Sequence, residues 1–211
     1  MASLYESLGV RPLINAKGSY THLSGSLMPA EVVAAIAEAS RVFVEINELE
    51  LTAGRRLAEL TGAEAALVTG GCAAALVQTA AACMAGTDLE KIKQLPDSTG
   101  MQNEIVIQRA HRNQYDQSFR TAGAKLVEVS THDELEAAIG PRTFAIAHIA
   151  AYEPKGSVKL DAVLVIAHDR NLPVLVDAAA ELPPHENLTR FVRMGCDAVM
   201  FSGGKGLRGP Q

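Results

Sequence analysis

The sequence predicts an α/β protein whose mainly parallel sheet is covered by helices on both faces. Short, continuously apolar segments alternate with longer segments of helical spacing, and several of the longer segments end at glycine. This alternation is typical of parallel strands that are buried on both faces and joined by crossover helices. With 211 residues, 48% of them hydrophobic, the chain is long enough to form one sizeable domain.

The first sixty residues precede this alternation. Residues 1–28 are expected to be irregular, and Pro29 suits the first turn of a helix that extends to about residue 46. A second helix is predicted over about 48–61, with Gly62 after its last turn. We therefore divide the chain into an N-terminal segment with helices, residues 1–62, and a larger domain, residues 63–211.

The larger domain is expected to follow a strand–helix order. Strands are predicted at 65–69, 104–108, 125–129, 144–150, 173–177 and 197–201. Helices are predicted between them, at about 72–85, 113–121, 132–139, 160–170 and 187–194. The stretch 87–103 is predicted to be a loop, because it combines charged residues with proline, serine and glycine.

Composition argues against several classes of function. The net charge of −5 and the lack of a basic cluster argue against binding of DNA or other nucleic acid. The three cysteines show no metal-ligand spacing, which indicates a reduced setting and no metal site. No run reaches the ~18 apolar residues of a membrane span, and the first thirty residues lack a signal-peptide pattern. We expect a cytoplasmic protein that does not contact membranes.

Chemically able residues follow the predicted strands. Gly71 and Cys72 follow the first strand, His111 follows the second, and Asp177 closes the fifth. Ser202 and Lys205 follow the sixth. Ligands of open parallel sheets bind beyond the carboxyl ends of the strands, so these side chains are candidates for one site.

Asp177 and Lys205 together indicate pyridoxal 5'-phosphate (PLP). A lysine on a glycine-rich turn can form an imine with the aldehyde of PLP, and an acid at a strand end can keep its ring nitrogen protonated. Asp177 lies among apolar neighbours, so its carboxylate needs a cationic or donor partner. We predict Lys205 and Asp177 as catalytic residues that also bind the cofactor.

The remaining candidates are less specific. Gly71 and Cys72 could hold the phosphate at a helix start, although a Gly-Gly pair also suits an ordinary turn. The hydroxyl group of Ser202 could donate a hydrogen bond to the phosphate. His111 could stack on the cofactor ring and move protons there, although a single histidine in a loop is more often a surface residue.

Two nucleotide-binding motifs that are also rich in glycine do not match this sequence. A P-loop requires G-x-x-x-x-G-K-[ST], but Val199 stands at the first glycine position and Gly206 follows the lysine. A dinucleotide-binding domain requires G-x-G-x-x-G after the first strand, and the run GGCAAA (70–75) does not match it.

The chain resembles the fold-type-I PLP-dependent enzymes, within them the selenocysteine-synthase-like family and its D-glucosaminate-6-phosphate ammonia-lyase-like branch. The segments that carry the resemblance are RPLINAKG (11–18), AGRRLAELTGA (53–63), GCAAA (71–75), VDAAAELPP (176–184) and SGGKGLRGPQ (202–211). The resemblance implies an aspartate-aminotransferase-like large domain. It also implies that Lys205 is the imine-forming lysine, Asp177 the ring-nitrogen partner, His111 the stacking residue, and Gly71, Cys72 and Ser202 the phosphate cradle.

The resemblance also implies a reaction. We expect a PLP-dependent lyase that catalyses α,β-elimination on an amino acid or amino sugar acid. The alternatives are selenium transfer to a seryl-tRNA, which the low basicity disfavours, and an inactive interaction module. The resemblance also implies that the chain assembles as a homodimer or a higher homo-oligomer.

We also expect an incomplete large domain, because relatives continue beyond the lysine with a further strand and a small C-terminal domain. On this hypothesis the strand 197–201 is an exposed apolar edge, which favours pairing with other chains. We therefore expect the 211-residue chain to self-associate and to bind PLP weakly.

Overall fold

A five-stranded parallel sheet forms the centre of the protein, as a computed structural model shows for residues 4–210. The sheet has the order β2-β1-β3-β4-β5, and all four pairings are parallel. Its strands are β1 (Glu104–Gln108), β2 (Lys125–Val129), β3 (Thr143–Ile149), β4 (Val174–Asp177) and β5 (Ala198–Met200). The predicted α/β fold with a mainly parallel sheet is confirmed.

Helices precede the sheet and connect its strands. They are α1 (Leu4–Ser7), α2 (Ala30–Ala39), α3 (Ile46–Thr61), α4 (Cys72–Ala85), α5 (Leu89–Gln94), α6 (Gln117–Thr121), α7 (His132–Ala138), α8 (Leu160–His168) and α9 (Asn187–Arg193). Short 3-10 segments follow β1 and β3, at Arg109–His111 and Ala150–Lys155. Both segments lie at the carboxyl edge of the sheet.

The two faces of the sheet are covered by different helices. Ile105, Ile107 and Leu175 pack with residues of α4 and α6, whereas Val106 and Val176 pack with residues of α7, α8 and α9. Successive side chains of a strand point to opposite faces, so one apolar run supplies both cores. This explains why these strands read as continuous apolar segments rather than alternating ones.

The predicted strand at 65–69 is wrong. The segment belongs to none of the described strands, and Leu67 and Val68 are more than half exposed. An apolar β-branched run forms a strand only where a neighbour accepts its backbone hydrogen bonds. Within residues 4–210 the sheet ends at β5 on one side and β2 on the other, and neither edge pairs with this segment.

The helices differ from prediction at several places. α1 lies in a stretch that was expected to be irregular, and α6 begins at Gln117 instead of near residue 113, after a 3-10 segment at Gln114–Asp116. α2 ends at Ala39 instead of near residue 46, because the following residues Val42, Phe43 and Val44 are exposed and provide no packing for a further helical face. α3 begins at Ile46, where the Glu45 carboxylate accepts hydrogen bonds from the first turn. α5 lies within the stretch that was predicted to be a loop.

The N-terminal segment contacts the larger domain through α3, which packs against α9, and through Ser26 and Leu27. Gly54 of α3 lies against the main chain of Ala66, where an added Cβ would be 2.3 Å from the carbonyl oxygen. Many of the large apolar side chains before residue 61 are exposed. The boundary at residues 62 and 63 stays a prediction. Within residues 4–210, no helix combines the length and the apolar character that crossing a membrane requires.

Candidate active site at the carboxyl edge of the sheet

Asp177 is the last residue of β4 and lies where the candidate residues converge. Its side chain is only 8% exposed. Oδ1 accepts a hydrogen bond from the Ala179 amide at 3.0 Å and lies 3.8 Å from the Cys72 thiol. Asp177 and Leu175 face the α4 side of the sheet, so this carboxylate points toward the start of that helix.

Burial raises the pKa of Asp177, because removal from water disfavours the charged carboxylate. Three neighbours oppose that shift: the Ala179 amide, the charge of Lys205 and the Cys72 thiol. A cationic N–H placed against the carboxylate would stabilise its charged form further. The site therefore has a buried acid that is suited to a positively charged ring nitrogen.

The start of α4 supplies an open set of backbone donors. Gly71 precedes the helix with a φ of 120°, a conformation that favours glycine. A Cβ added at Gly70 or Gly71 would meet no atom within 4 Å, so the space in front of this turn is free. Free N–H groups at the start of a 14-residue helix favour an anion such as a phosphate.

The side chain of Cys72 takes part in the site, which the sequence did not indicate. Burial, followed by the negative charge of Asp177, raises the pKa of its thiol to about 12. Cys72 is therefore a neutral thiol that can donate to the Met200 carbonyl, 3.5 Å away, or to the Asp177 carboxylate. Its thiol connects α4 to the ends of β4 and β5.

Lys205 lies in a turn that directly follows β5, and its side chain is partly buried. The Lys205 amide donates to the Ser202 carbonyl at 3.3 Å, so Ser202 and Lys205 belong to the same turn. The positive charge of Lys205 partly opposes the rise in the pKa of Asp177 and of the Cys72 thiol. Four of the predicted site residues thus lie together at one edge of the sheet: Gly71, Cys72, Asp177 and Lys205.

His111 lies at the same edge but in a separate cluster. Its Nδ1 accepts a hydrogen bond from the Ile149 amide at 3.3 Å, and Ile149 pairs with Asp177 across β3 and β4. The ring is 0% exposed and packs edge-on against His148, with ring centroids 4.6 Å apart. A cofactor ring could reach a face of His111 only if neighbouring side chains gave way, so the stacking role stays a prediction.

Burial, together with the neighbouring His148, lowers the pKa of His111 to about 4. His111 is therefore neutral at pH 7, and its Nε2 has no hydrogen-bond partner within residues 4–210. Gly156 lies directly against this atom: an added Cβ would stand 2.6 Å from Nε2. Glycine at position 156 thus allows the segment after β3 to close over the histidine.

His148 lies within β3 and is 1% exposed. Its Nε2 lies 2.5 Å from Glu153 Oε2, but neither ring nitrogen has an aligned hydrogen bond within the described residues. Glu153 Oε1 also accepts the Leu160 amide at the start of α8. Glu153 therefore connects the segment after β3 to both the sheet and the next helix.

The residues present fit PLP. Among the residues that the structure describes, Lys205 is the cation that acts on the buried Asp177 carboxylate, and the turn at Gly70 and Gly71 leaves room for a phosphate. Asp177 would hold the ring nitrogen, the start of α4 with Ser202 the phosphate, and Lys205 the aldehyde carbon. Within residues 4–210, no cluster of three or more His, Cys, Asp or Glu residues is arranged to hold a metal ion.

Comparison with known proteins identifies relatives over nearly the whole chain, although no family model matches. The chain is 34% identical over 219 residues to D-glucosaminate-6-phosphate ammonia lyase of Salmonella typhimurium (strain 14028s / SGSC 2262), covering 99% of this chain and 58% of that protein. It is 36% identical over 220 residues to a Streptomyces 5'-C-glycyluridine monooxygenase-decarboxylase, covering 98% and 54%. It is 29% identical over 238 residues to L-seryl-tRNA(Sec) selenium transferase of Desulfomicrobium baculatum, covering 95% and 48%.

The solved structures agree with these relatives. A structure of D-glucosaminate-6-phosphate ammonia-lyase superimposes with a TM-score of 0.91 at 34% identity, covering 97% of this chain and 57% of that one. The chain therefore spans about half the length of the curated relatives it matches. The sheet, the lysine turn and these relatives together show that the chain belongs to the fold-type-I PLP-dependent enzymes, in the selenocysteine-synthase-like family that includes D-glucosaminate-6-phosphate ammonia lyase.

Proposed function

We propose that this protein is a PLP-dependent lyase that removes ammonia from an amino sugar acid or a related amino acid by α,β-elimination. The observation that carries the proposal is the buried Asp177 carboxylate. It lies beside the start of α4 and interacts electrostatically with the positive charge of Lys205. The 34% identity to an ammonia lyase, extending over 99% of this chain, supports the reaction type.

Lys205 is the proposed base. In an α,β-elimination of a β-hydroxy amino acid the Cα–H and Cβ–O bonds both break, and the hydroxyl group leaves as water. The enamine that is released tautomerises to an imine, and a second water molecule hydrolyses the imine to a keto acid and ammonia. Bound PLP supplies the electron-withdrawing ring that makes the Cα–H bond acidic. With PLP bound, the Nζ of Lys205 would accept that proton.

The other residues of the site are proposed to hold and orient the cofactor. The Asp177 carboxylate holds the ring nitrogen in its protonated form through an ion pair in a buried setting. Backbone donors at Gly71 and Cys72, with the Ser202 hydroxyl, bind the phosphate. His111 is proposed to lie against the ring as a neutral imidazole, since its pKa of about 4 keeps it uncharged near pH 7. Because Nδ1 accepts the Ile149 amide, the neutral ring carries its proton at Nε2, which can donate it.

Two other reactions of the same chemistry are open to test. Selenium transfer to a seryl-tRNA is disfavoured by the net charge of −5. A decarboxylation that consumes oxygen is suggested by the 36% identity to a monooxygenase-decarboxylase.

A homo-oligomer is proposed as the working form, because much of the N-terminal apolar surface is exposed.

Cofactor attachment is tested by trapping. The chain is mixed with PLP, reduced with borohydride and digested, and mass spectrometry locates the modified peptide. We expect modification at Lys205 and its loss in Lys205→Ala. Lys125→Ala is the matched control, because Lys125 is an exposed lysine at the amino end of β2. Equal modification of both variants would contradict the proposal, and would leave the inactive interaction module as the better account.

The reaction is tested by product. D-Glucosaminate 6-phosphate and a series of amino acids are each incubated with the PLP-loaded protein, and ammonia, keto acid, carbon dioxide and oxygen uptake are measured. Release of ammonia and keto acid in equal amounts, without oxygen uptake, supports the lyase. Carbon dioxide with oxygen uptake would favour the monooxygenase-decarboxylase reaction. In a parallel assay with seryl-tRNA and a selenium donor, formation of selenocysteinyl-tRNA, without turnover of the other substrates, would favour selenium transfer.

A further inference from the structure

The turn that carries Lys205 is closed by its own backbone. The Arg208 amide donates to the Lys205 carbonyl at 2.9 Å, and the Gly209 amide donates to the Gly203 carbonyl at 2.8 Å. Arg208 adopts a φ of 58°, which brings the chain back on itself. These bonds determine the shape of the turn, but they do not attach it to the rest of the protein.

Two hydrogen bonds attach the turn to the N-terminal segment. The Ser26 hydroxyl donates to the Gly204 carbonyl at 3.0 Å, and the Arg208 guanidinium donates through Nε to the Leu27 carbonyl at 3.3 Å. Gly204 directly precedes Lys205 and Arg208 follows it by three positions. The two bonds therefore bracket the lysine, and they join parts of the chain that are about 180 residues apart.

The segment that presents Ser26 is itself held in place. The Gly25 amide donates to the Tyr20 carbonyl at 3.1 Å, and the Ser24 amide donates to the Thr21 carbonyl at 3.1 Å. Gly25 is buried, and a β-bridge joins it to Tyr20. Because this small loop is closed on both sides, the Ser26 hydroxyl is presented from a fixed backbone.

Leu182 packs against the turn at Gly206. A Cβ added at Gly206 would lie 2.5 Å from both the Cβ and the carbonyl oxygen of Leu182, which is 7% exposed. Leu182 therefore blocks movement of the turn in one direction, and the bonds to Ser26 and Leu27 attach the turn to the N-terminal segment.

We propose that Ser26 and Leu27 form a clamp that positions Lys205, with Ser26 as its main positioning residue. The N-terminal segment thereby controls where the lysine amino group lies relative to Asp177. The inference rests on the proposed function in one respect, the use of Lys205 to attach PLP. The attachment of the turn itself can be measured without any cofactor.

The first measurement reports on the turn alone. Trypsin cuts after Lys205 and Arg208 only when the turn opens, so cleavage there is followed without PLP in wild type, Ser26→Ala, Ser26→Thr and Ser40→Ala. Ser40→Ala is the matched control, since its hydroxyl also donates to one carbonyl, that of Ala37, at an exposed site. We expect Ser26→Ala to be cut about three- to tenfold faster, from the usual strength of one neutral hydrogen bond. Ser26→Thr, which keeps the hydroxyl, and Ser40→Ala should match wild type.

The second measurement reports on the lysine. The same four proteins are reduced with borohydride at a PLP concentration that modifies half of the wild-type Lys205. Lower modification in Ser26→Ala, with recovery in Ser26→Thr, supports the clamp. Wild-type cleavage and modification in Ser26→Ala would overturn it, as would an equal defect in both variants, which would indicate a merely structural serine. If wild-type Lys205 takes up no PLP, the proposed function is wrong, while the cleavage rates still decide whether Ser26 holds the turn.

Discussion

The thiol of Cys72 lies 3.8 Å from Oδ1 of Asp177, although the two residues are 105 positions apart in the chain. One begins α4 and the other ends β4, so their contact joins the anion-binding end of a helix to the acid of the site. We expect Cys72→Ala to weaken PLP binding about two- to fivefold, since a weak hydrogen bond contributes about 0.5–1 kcal/mol. A PLP titration followed by absorbance measures this. Cys83→Ala, at a second partly buried thiol on α4, should leave the affinity unchanged.

Asp177→Asn separates cofactor binding from stability. The amide keeps the shape of the carboxylate and can still accept from the Ala179 amide, but it cannot pair with a cationic ring nitrogen. We expect PLP affinity to fall at least about tenfold, about 1.4 kcal/mol. Urea unfolding of the cofactor-free protein at pH 7 should show equal or greater stability, because burial raises the pKa of Asp177 and disfavours its charged form. Unchanged affinity would remove Asp177 from the site.

The buried His111 makes folding stability depend on pH. An unfolded histidine takes up a proton near pH 6.5, whereas His111 in the folded protein does so only near 4. Its stabilising contribution is therefore complete above about pH 6.5 and is lost progressively as the pH falls toward 4, by at most about 3 kcal/mol.

The comparison that isolates this effect is His111→Gln against the exposed His132→Gln. We expect the free energy of unfolding, measured in urea, to decline less between pH 7 and 4.5 in His111→Gln than in wild type. His132→Gln should follow the wild-type curve. Parallel curves for all three proteins would show that His111 does not titrate as a buried neutral histidine.

Gly206→Ala should destabilise the lysine turn. The added methyl group would meet Leu182 main-chain and side-chain atoms at 2.5 Å, so either the turn or Leu182 must shift. We expect a loss of about 1–3 kcal/mol in unfolding free energy, the usual cost of overpacking. Gly203→Ala, three positions earlier, is the control, because its Cβ would come no closer than 3.9 Å to another atom. An equal effect of both substitutions would contradict the account of Leu182.

Exposed apolar residues before residue 61 predict self-association. Ile14, Leu27 and Phe43 are each more than 80% exposed, and large exposed apolar patches commonly mark interaction sites. We expect size-exclusion chromatography with light scattering to show a mass that rises with protein concentration. Phe43→Ser should shift the distribution toward the monomer, whereas Tyr115→Ser, at a partly exposed aromatic outside this segment, should not. A monomer at all concentrations would refute the prediction.

The sequence by itself determined the sheet and most of its helices. The bounds of β1 and β2 match the predicted 104–108 and 125–129, because a parallel strand buried on both faces must be apolar throughout. The sequence also placed Asp177 at the end of one strand and Lys205 after the next. Their proximity was expected because the carboxyl ends of parallel strands share one edge of the sheet. α5 could have been found from its Asp88 cap, which accepts the Glu90 and Lys91 amides, but its polar composition favoured a loop.

Tertiary structure decided the rest. Residues 65–69 have the pattern of a strand but no neighbour within residues 4–210, and α2 ends where no packing supports it. The contacts of Cys72 with Asp177, Ser26 with Gly204 and Gly206 with Leu182 join distant parts of the chain. Local propensity and periodicity report only on neighbours along the chain, so contacts of this kind exist only once the sheet has brought their elements together.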